Sequence, residues 1–583
     1  MRPWQALRML SLATALAWAP TVAARLPPEP ALQAWVRARL AAGEDRIPEA
    51  SRSLAQALAL DRQEPLLRWN RFELALVEGD LRTAFRLAEG LPPAGPDGPP
   101  PSRFGFNDSV VALVRAVAAA QVRDWRLYGR ALAAFPEPRA GASPVVRELL
   151  AAWGEVAQGD GAAALARLDA VPPSGGARSW VEEHRAHLLA ALRRWPQAAQ
   201  AYDRLVAGEG ANVPRLRLLA AATHLEAGRG EGDGRDAHRA RAIAILGGGP
   251  PRDPLLAEAR ARLLARPARE RSDLGVLPLT PADGIALLLL RLAAESSRER
   301  PQPVAIAFAR LAVALRPGVP EAWLILGESL ARNGLHDLAL AAFEAMPDSP
   351  YRDLAAIRRA QVLAEAGRTG EALARLRALA ERPGAGPDDW VRVAEIERRE
   401  GRFAAAAEAL DRALALARDL PPAEEAALWF LRGSAREQAK DWARAEPDLR
   451  RAVALQPDNP VFLNYLGYSL LDRGLALEEA DRLIRRAHAA APDNGAIIDS
   501  LGWVAYVRGD YPRAVELLER ARAAEPADPT VADHLGDALW RVGRRIEARH
   551  AWTSALALDP EPALRAAIER KLALGLEPAS RGR

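Results

Sequence analysis

Apolar and small residues return every three or four positions along most of this chain, the spacing that sets one apolar stripe on an α-helix. Tyr511, Ala514, Leu518 and Ala521 form one such stripe, and Ala548, Trp552 and Ala555 form another. A glycine stands ahead of each stripe and a proline behind it: Gly509 and Pro526 in the first case, Gly543 and Pro560 in the second. Glycine supplies the left-handed conformation that ends a helix, and proline stops the next one because it has no N–H to donate. The pattern predicts helical hairpins and an all-α chain.

The hairpins recur. Gly433, Gly467, Gly502 and Gly536 lie 34, 35 and 34 residues apart, with the same residue types at nearly the same offsets around each. The unit holding Leu466-Gly467 continues through Gly474, Ala480, Ile484, Ala487 and Pro492, with one extra residue in its turn. The one before it reads Gly433, Trp442, Ala445, Leu449, Ala452 and Pro457. Gly467, Ala480 and Ala487 let helix backbones approach closely, and Leu466 and Ile484 fill the gaps between them. One hairpin cannot bury its apolar face alone, so the units must stack into a solenoid.

This register closely resembles the tetratricopeptide repeat (TPR), a helix–turn–helix of about 34 residues. The likeness is specific over residues 423–562. It continues upstream in Trp323, Gly327, Gly334, Ala339 and Phe343, in Gly367, Ala372 and Leu376, and in Gly401, Phe403, Ala406, Leu410 and Ala413. Ala305–Pro317 looks like the second helix of a weaker unit. The resemblance implies a helix–turn–helix repeat solenoid, a TPR superhelix, over 285–562. Residues 563–583 then supply a capping helix (Ala563–Leu574) and a frayed tail from Glu577.

Residues 25–266 read as degenerate helical repeats in a looser register. Gly79-Asp80 and Gly159-Asp160 resemble the turn between repeat helices, and Trp195 to Tyr202 resembles the start of a second helix. Pro92–Pro101, Gly228–Gly234 and Gly247–Pro251 read as loops from their glycine and proline content. Residues 267–284, charged at first and then carrying Pro278 and Pro281, read as a linker or a break in the solenoid.

The first residues have a different character. Arg2 and Arg8 bracket a short basic region, Met9–Ala19 is an apolar run, and Val22-Ala23-Ala24 offers small residues before Arg25. That order predicts a cleavable signal peptide over 1–24 and an exported protein that is periplasmic or envelope-associated. A buried N-terminal helix is the alternative. The run is well short of the ~20 residues a membrane span needs, and Ile285–Leu290 is shorter still, so no transmembrane span is expected in the mature chain.

Length and composition narrow the rest. At 583 residues the chain exceeds one ordinary domain, which fits a repeat array. The 79 basic and 75 acidic residues nearly cancel at a net charge of +4, and phosphate binding needs concentrated cations, so no nucleic acid partner is expected. There is no cysteine, which excludes disulfides, thiol nucleophiles, thiolate metal sites and a lipid-bearing N-terminal cysteine.

Searching for chemistry yields little. No P-loop is present, the alternating glycines at 228–234 follow no strand, and Gly467-Tyr468-Ser469 lacks the second glycine of a nucleophile elbow. His184 and His187 beside Glu182 and Glu183 have a spacing that permits a metal on one helical face. Solvated histidines on an exposed helix explain them more simply. Glu424-Glu425 and Glu478-Glu479 suit helix N-termini, where they complement the dipole. No catalytic residue, metal or cofactor is expected.

What remains is a surface. In TPR arrays the first helix of each unit lines a groove, with its fifth, ninth and twelfth positions inward. Carried onto this chain, the resemblance implies Asn464, Tyr468 and Leu471, then Asp499, Trp503 and Tyr506, then Asp533, Asp537 and Trp540. Flat rings with acids and an amide suit a peptide partner of basic or neutral character, although Trp503 and Trp540 can equally pack between helices. The expected function is a non-enzymatic protein–protein interaction scaffold. Export signal and regular repeats together resemble envelope TPR proteins of Gram-negative bacteria, some of which are adaptors of a carboxyl-terminal processing protease. A helical-superhelix lytic transglycosylase is the alternative enzyme reading, but repeats occupy 423–562 where its catalytic domain would sit. An RNA-binding repeat protein is a third reading, which export and near-neutral charge disfavour.

Overall fold

The computed structural model describes residues 28–91, 104–135, 145–172, 176–230, 234–248, 253–265, 274–298 and 300–577. The expected signal peptide, the Pro92–Pro101 loop and the tail beyond Glu577 lie outside them. The described residues form 30 α-helices, an all-helical arrangement in which successive helices pack on one another, and none is long and apolar enough to cross a membrane. The chain divides into two compact units between Arg368 and Thr369. Of the expected linker 267–284, residues 267–273 lie outside the described residues and 274–284 fall inside the first unit. There Leu279 is buried, and Thr280 and Asp283 form a reciprocal capping box that starts helix Pro281–Ser296.

In the first unit the hairpin turns read from sequence are present. Gly79 adopts φ 95 at the end of helix Pro65–Glu78, and Asp80 accepts from Thr83 N to start helix Leu81–Gly90. Asp160 caps helix Gly161–Asp169 in the same way. Superposed on this succession is a long-range contact. Helix Pro281–Ser296 packs on Val145–Ala157 and Ala177–Ala191, and helix Val304–Leu315 packs on Pro65–Glu78 and Asp108–Gln121. The apolar run Ile285–Leu290 is thus core, with Ile285, Leu288 and Leu289 fully buried. Gly284 meets the face of the Trp153 indole, where a Cβ would overlap the ring. Arg310 donates twice to the Val77 carbonyl, at 3.1 and 2.9 Å, and Gln121 Nε2 donates to Ala314 O at 2.7 Å.

The same packing corrects the reading of His184 and His187, which are buried rather than solvated. Trp153 Nε1 donates to His184 Nδ1 at 3.1 Å, and His187 Nδ1 bonds the Tyr202 hydroxyl at 2.6 Å. Burial, with His187 beside it, pushes His184 down to about 3, so it stays neutral. Among the described residues no cluster of three or more potential ligands can hold a metal. The helical period marked these residues only as neighbours; aromatic partners on two other helices bury them.

The second unit is a regular solenoid. Each helix packs on those before and after it. The first helices of successive hairpins, Pro460–Asp472, Gly495–Val507 and Pro529–Arg541, also touch one another. Leu466, Ile484, Leu518 and Trp552 are buried between hairpins, each aliphatic side chain contributing about 1.5–3 kcal/mol. Gly536 lies so close to Trp552 that a Cβ would overlap the indole, which explains a glycine inside helix Pro529–Arg541. Glu424 and Glu425 fall in the first turn of helix Pro422–Gln438, and Glu478 and Glu479 in that of Leu477–Ala490. Helix Pro562–Leu574 follows the last hairpin and packs on its second helix, Arg545–Ala557.

Candidate functional site

The residues expected to face the groove stand on three adjoining first helices, but the structure gives them different tasks. Asn459, Asn494 and Asp528 accept backbone N–H groups at the starts of Pro460–Asp472, Gly495–Val507 and Pro529–Arg541.

The centre is aromatic. Trp503 lies between Tyr506, at 4.5 Å and 4° between ring planes, and His534, at 4.0 Å and 15°. Tyr468 adds a tilted ring 6.3 Å from His534. Tyr468, Trp503 and Tyr506 are all half-buried. Arg541 Nε donates to the Tyr506 hydroxyl at 3.2 Å. Burial, reinforced by the charges of Asp499, Asp472, Asp528 and Asp533, raises the Tyr468 hydroxyl well above an ordinary phenol, so it stays a donor. Asn464 is half-buried beside this group, and its Oδ1 is buried without a hydrogen-bond partner. Leu471 is buried in the core.

The three acids do not face outward as free acceptors. Asp499 is buried, with both oxygens 3.0 Å from His534 Nδ1. Burial alone would lower the His534 pKa, but the Asp499 carboxylate outweighs it and the net shift is upward. Asp533 and Asp537 are buried too and share Lys571 of the capping helix. Its Nζ donates to Asp533 at 2.8 and 2.7 Å and to Asp537 Oδ2 at 2.8 Å. Trp552 Nε1 donates to Asp537 Oδ1 at 2.9 Å. Against its own burial, Lys571 is raised by the two carboxylates. Asp537 is raised by burial and by Asp533, because two carboxylates share one ammonium.

Trp540 belongs to the array's end rather than to the aromatic centre. Its indole meets Gly575, where a Cβ would overlap it, and lies 5.4 Å from Trp552, with Arg545 and Arg549 over its ring at 5.2 and 5.8 Å. The segment after the capping helix is held there as well, since Arg541 donates to the Glu577 carbonyl at 2.6 Å. Thus Tyr468, Trp503 and Tyr506 come together around His534 as a half-buried aromatic patch, with Asn464 one turn before Tyr468 on the same helix. Asp499, Asp533, Asp537 and Trp540 lie in the packing around it. His534, Lys571 and Arg541 were not foreseen. Lys571 did carry a signal, as one of only two lysines in an arginine-rich chain; the other two carried none.

Parts of the chain are similar to known proteins. The tetratricopeptide repeat profile matches residues 303–353, 357–421, 394–460, 430–495 and 500–560. The chain is 37% identical over 204 residues to the TPR repeat-containing protein PA4667 of Pseudomonas aeruginosa. That match covers 34% of this chain and 34% of the relative, so the chain spans about a third of the curated relative it matches. Among solved structures, MamA from Desulfovibrio magneticus RS-1 covers 30% of this chain and 94% of its own, at 18% identity and TM-score 0.26. The APC/C hetero-tetramer Cut9–Hcn1 covers 98% and 99%, at 14% identity and TM-score 0.34. The repeat profile and the helix pairs show that the part of this chain within residues 303–560 is built of tetratricopeptide repeats, and part of the chain is similar to PA4667.

Proposed function

We propose that the chain is a non-enzymatic scaffold of the bacterial envelope that seats an extended peptide segment across Asn464, Tyr468, Trp503 and Tyr506. The observation that carries this reading is the ring stack. Tyr506, Trp503 and His534 are already parallel and in contact while Trp503 and Tyr506 stay half-exposed. Rings held in place before binding lose little freedom when a partner arrives, and they offer large contact area. The Tyr468 hydroxyl, kept protonated, is a donor that suits a peptide backbone. One negative charge remains where Asp533 and Asp537 share Lys571, which favours a neutral or basic segment over an acidic one.

The leader-like first residues support export to the periplasm or envelope. A carboxyl-terminal processing protease is the proposed partner, on the architectural resemblance to envelope adaptors. The test is affinity capture from a Gram-negative envelope extract, with the chain and a Tyr468→Ala/Trp503→Ala variant as baits after circular dichroism of both. Loss of the protease from the variant alone supports the reading. Equal capture by both baits removes the aromatic patch from it, and absence of any protease removes the adaptor role.

A further inference from the structure

The first unit contains a cavity of about 760 Å³ that shares no residue with the aromatic patch. Its walls come from helices Ala177–Ala191, Trp195–Ala207, Pro214–Ala227, Pro281–Ser296 and Pro320–Arg332 and the segments beside them. The size is that of a small-molecule site rather than a protein-docking face. Leu205, Leu216, Leu219, Leu287, Leu290 and Ile325 make a broad apolar wall.

The charges around that wall do not cancel. All four lining carboxylates are in ion pairs. Glu182 pairs with Arg178 at 2.7 Å, Glu183 and Glu295 with Arg291 at 2.6 and 2.9 Å, and Glu321 with Arg215 at 2.5 Å. Two further lining arginines, Arg204 and Arg298, are exposed and in no ion pair among the described residues. In the wall itself Arg215 Nε is a buried donor without an acceptor, and Glu321 Oε1 a buried acceptor without a donor. Buried polar atoms in native structures rarely stay unpaired. An apolar enclosure bearing two uncommitted guanidinium groups is complementary to a ligand with an apolar body and an anionic head.

We propose that this cavity binds a small amphipathic anion, its hydrocarbon part on the leucine wall and its carboxylate or phosphate head on Arg204 and Arg298. The inference does not rest on the peptide-scaffold reading, because the cavity and the aromatic patch lie in different units.

Isothermal titration calorimetry of the full chain with octanoate, decanoate, decyl phosphate and 1-decanol tests it. Expected is saturable one-to-one binding of decanoate or decyl phosphate, the tighter of the two naming the head group. Each added methylene should tighten binding by about fourfold. Decanol should bind at least tenfold more weakly than the anions. Arg204→Gln/Arg298→Gln should lose tenfold or more for both anions but keep its decanol affinity. Leu287→Trp, which fills the cavity, should abolish all binding. No saturable binding by the wild-type chain overturns the proposal, as does unchanged anion binding by the arginine variant. Binding of an apolar peptide where neither anion binds overturns it in favour of a peptide site. Because both arginines are exposed, their variant decides the matter even if Leu287→Trp fails to fold.

Discussion

His534 lies flat on Trp503, ring centroids 4.0 Å apart, and so joins the first helices of two successive repeats through one aromatic contact. Asp499, on the same helix as Trp503, holds the other side of the histidine through Nδ1 at 3.0 Å. The pair therefore links an accessible ring to a buried charge, which makes its behaviour measurable by pH.

The His534 pKa is raised above its ordinary 6.5, because Asp499 outweighs the cost of burial. A raised folded-state pKa gives stability that is complete below the unfolded value and lost as pH rises through the folded one. Urea midpoints of the wild-type chain should therefore fall, relative to His534→Gln, as pH rises above the ordinary histidine value of 6.5. A difference between the two proteins that does not change with pH refutes the link.

Lys571→Met leaves Asp533 and Asp537 as buried carboxylates without a cation. Breaking such a cluster costs about 3–5 kcal/mol. The C-terminal repeats should unfold at lower urea, followed by the fluorescence of Trp540 and Trp552, and Asp533→Asn/Asp537→Asn in the Lys571→Met background should recover part of the loss.

Gly284→Ala places a methyl group on the Trp153 indole in the core of the first unit. Overpacking of this kind costs about 1–3 kcal/mol. A lowered thermal midpoint with unchanged behaviour of Lys571→Met in the second unit is the expected result.

Lys440 occupies, at φ 66, the turn position that Gly401, Gly474, Gly509 and Gly543 fill in other repeats. It is exposed, so only backbone conformation is at stake. Lys440→Gly should stabilise the array by up to about 1 kcal/mol, the left-handed penalty less glycine's extra chain entropy. Chemical denaturation reads this directly.

Trp503→Ala and Trp540→Ala separate recognition from packing. The first should abolish capture of a peptide partner with the fold retained by circular dichroism. The second should lower stability by about 3 kcal/mol, since Trp540 is wedged against Gly575 and Trp552.

Repeat register, helix class and hairpin turns were legible in the sequence, and a helix stands at Pro562–Leu574 where a capping helix was expected. They are local consequences of glycine, proline and apolar spacing, which act within one unit or between adjacent ones. The resemblance to tetratricopeptide repeats, rather than the spacing itself, implied that Tyr468, Trp503 and Tyr506 stand on neighbouring faces. Tertiary structure alone decided which of the other groove candidates are spent. Asp499 is engaged by a histidine 35 residues away, and Asp533 and Asp537 by a lysine 38 and 34 residues away, separations at which a pattern of residue types gives no pairing. It also decided that the Pro281–Leu315 hairpin packs on helices more than a hundred residues earlier, burying Ile285–Leu290 and forming one wall of the cavity. Periodicity specifies which face of a helix is apolar; which other helix covers that face depends on how the solenoid curves, a sum of small rotations that no single repeat contains.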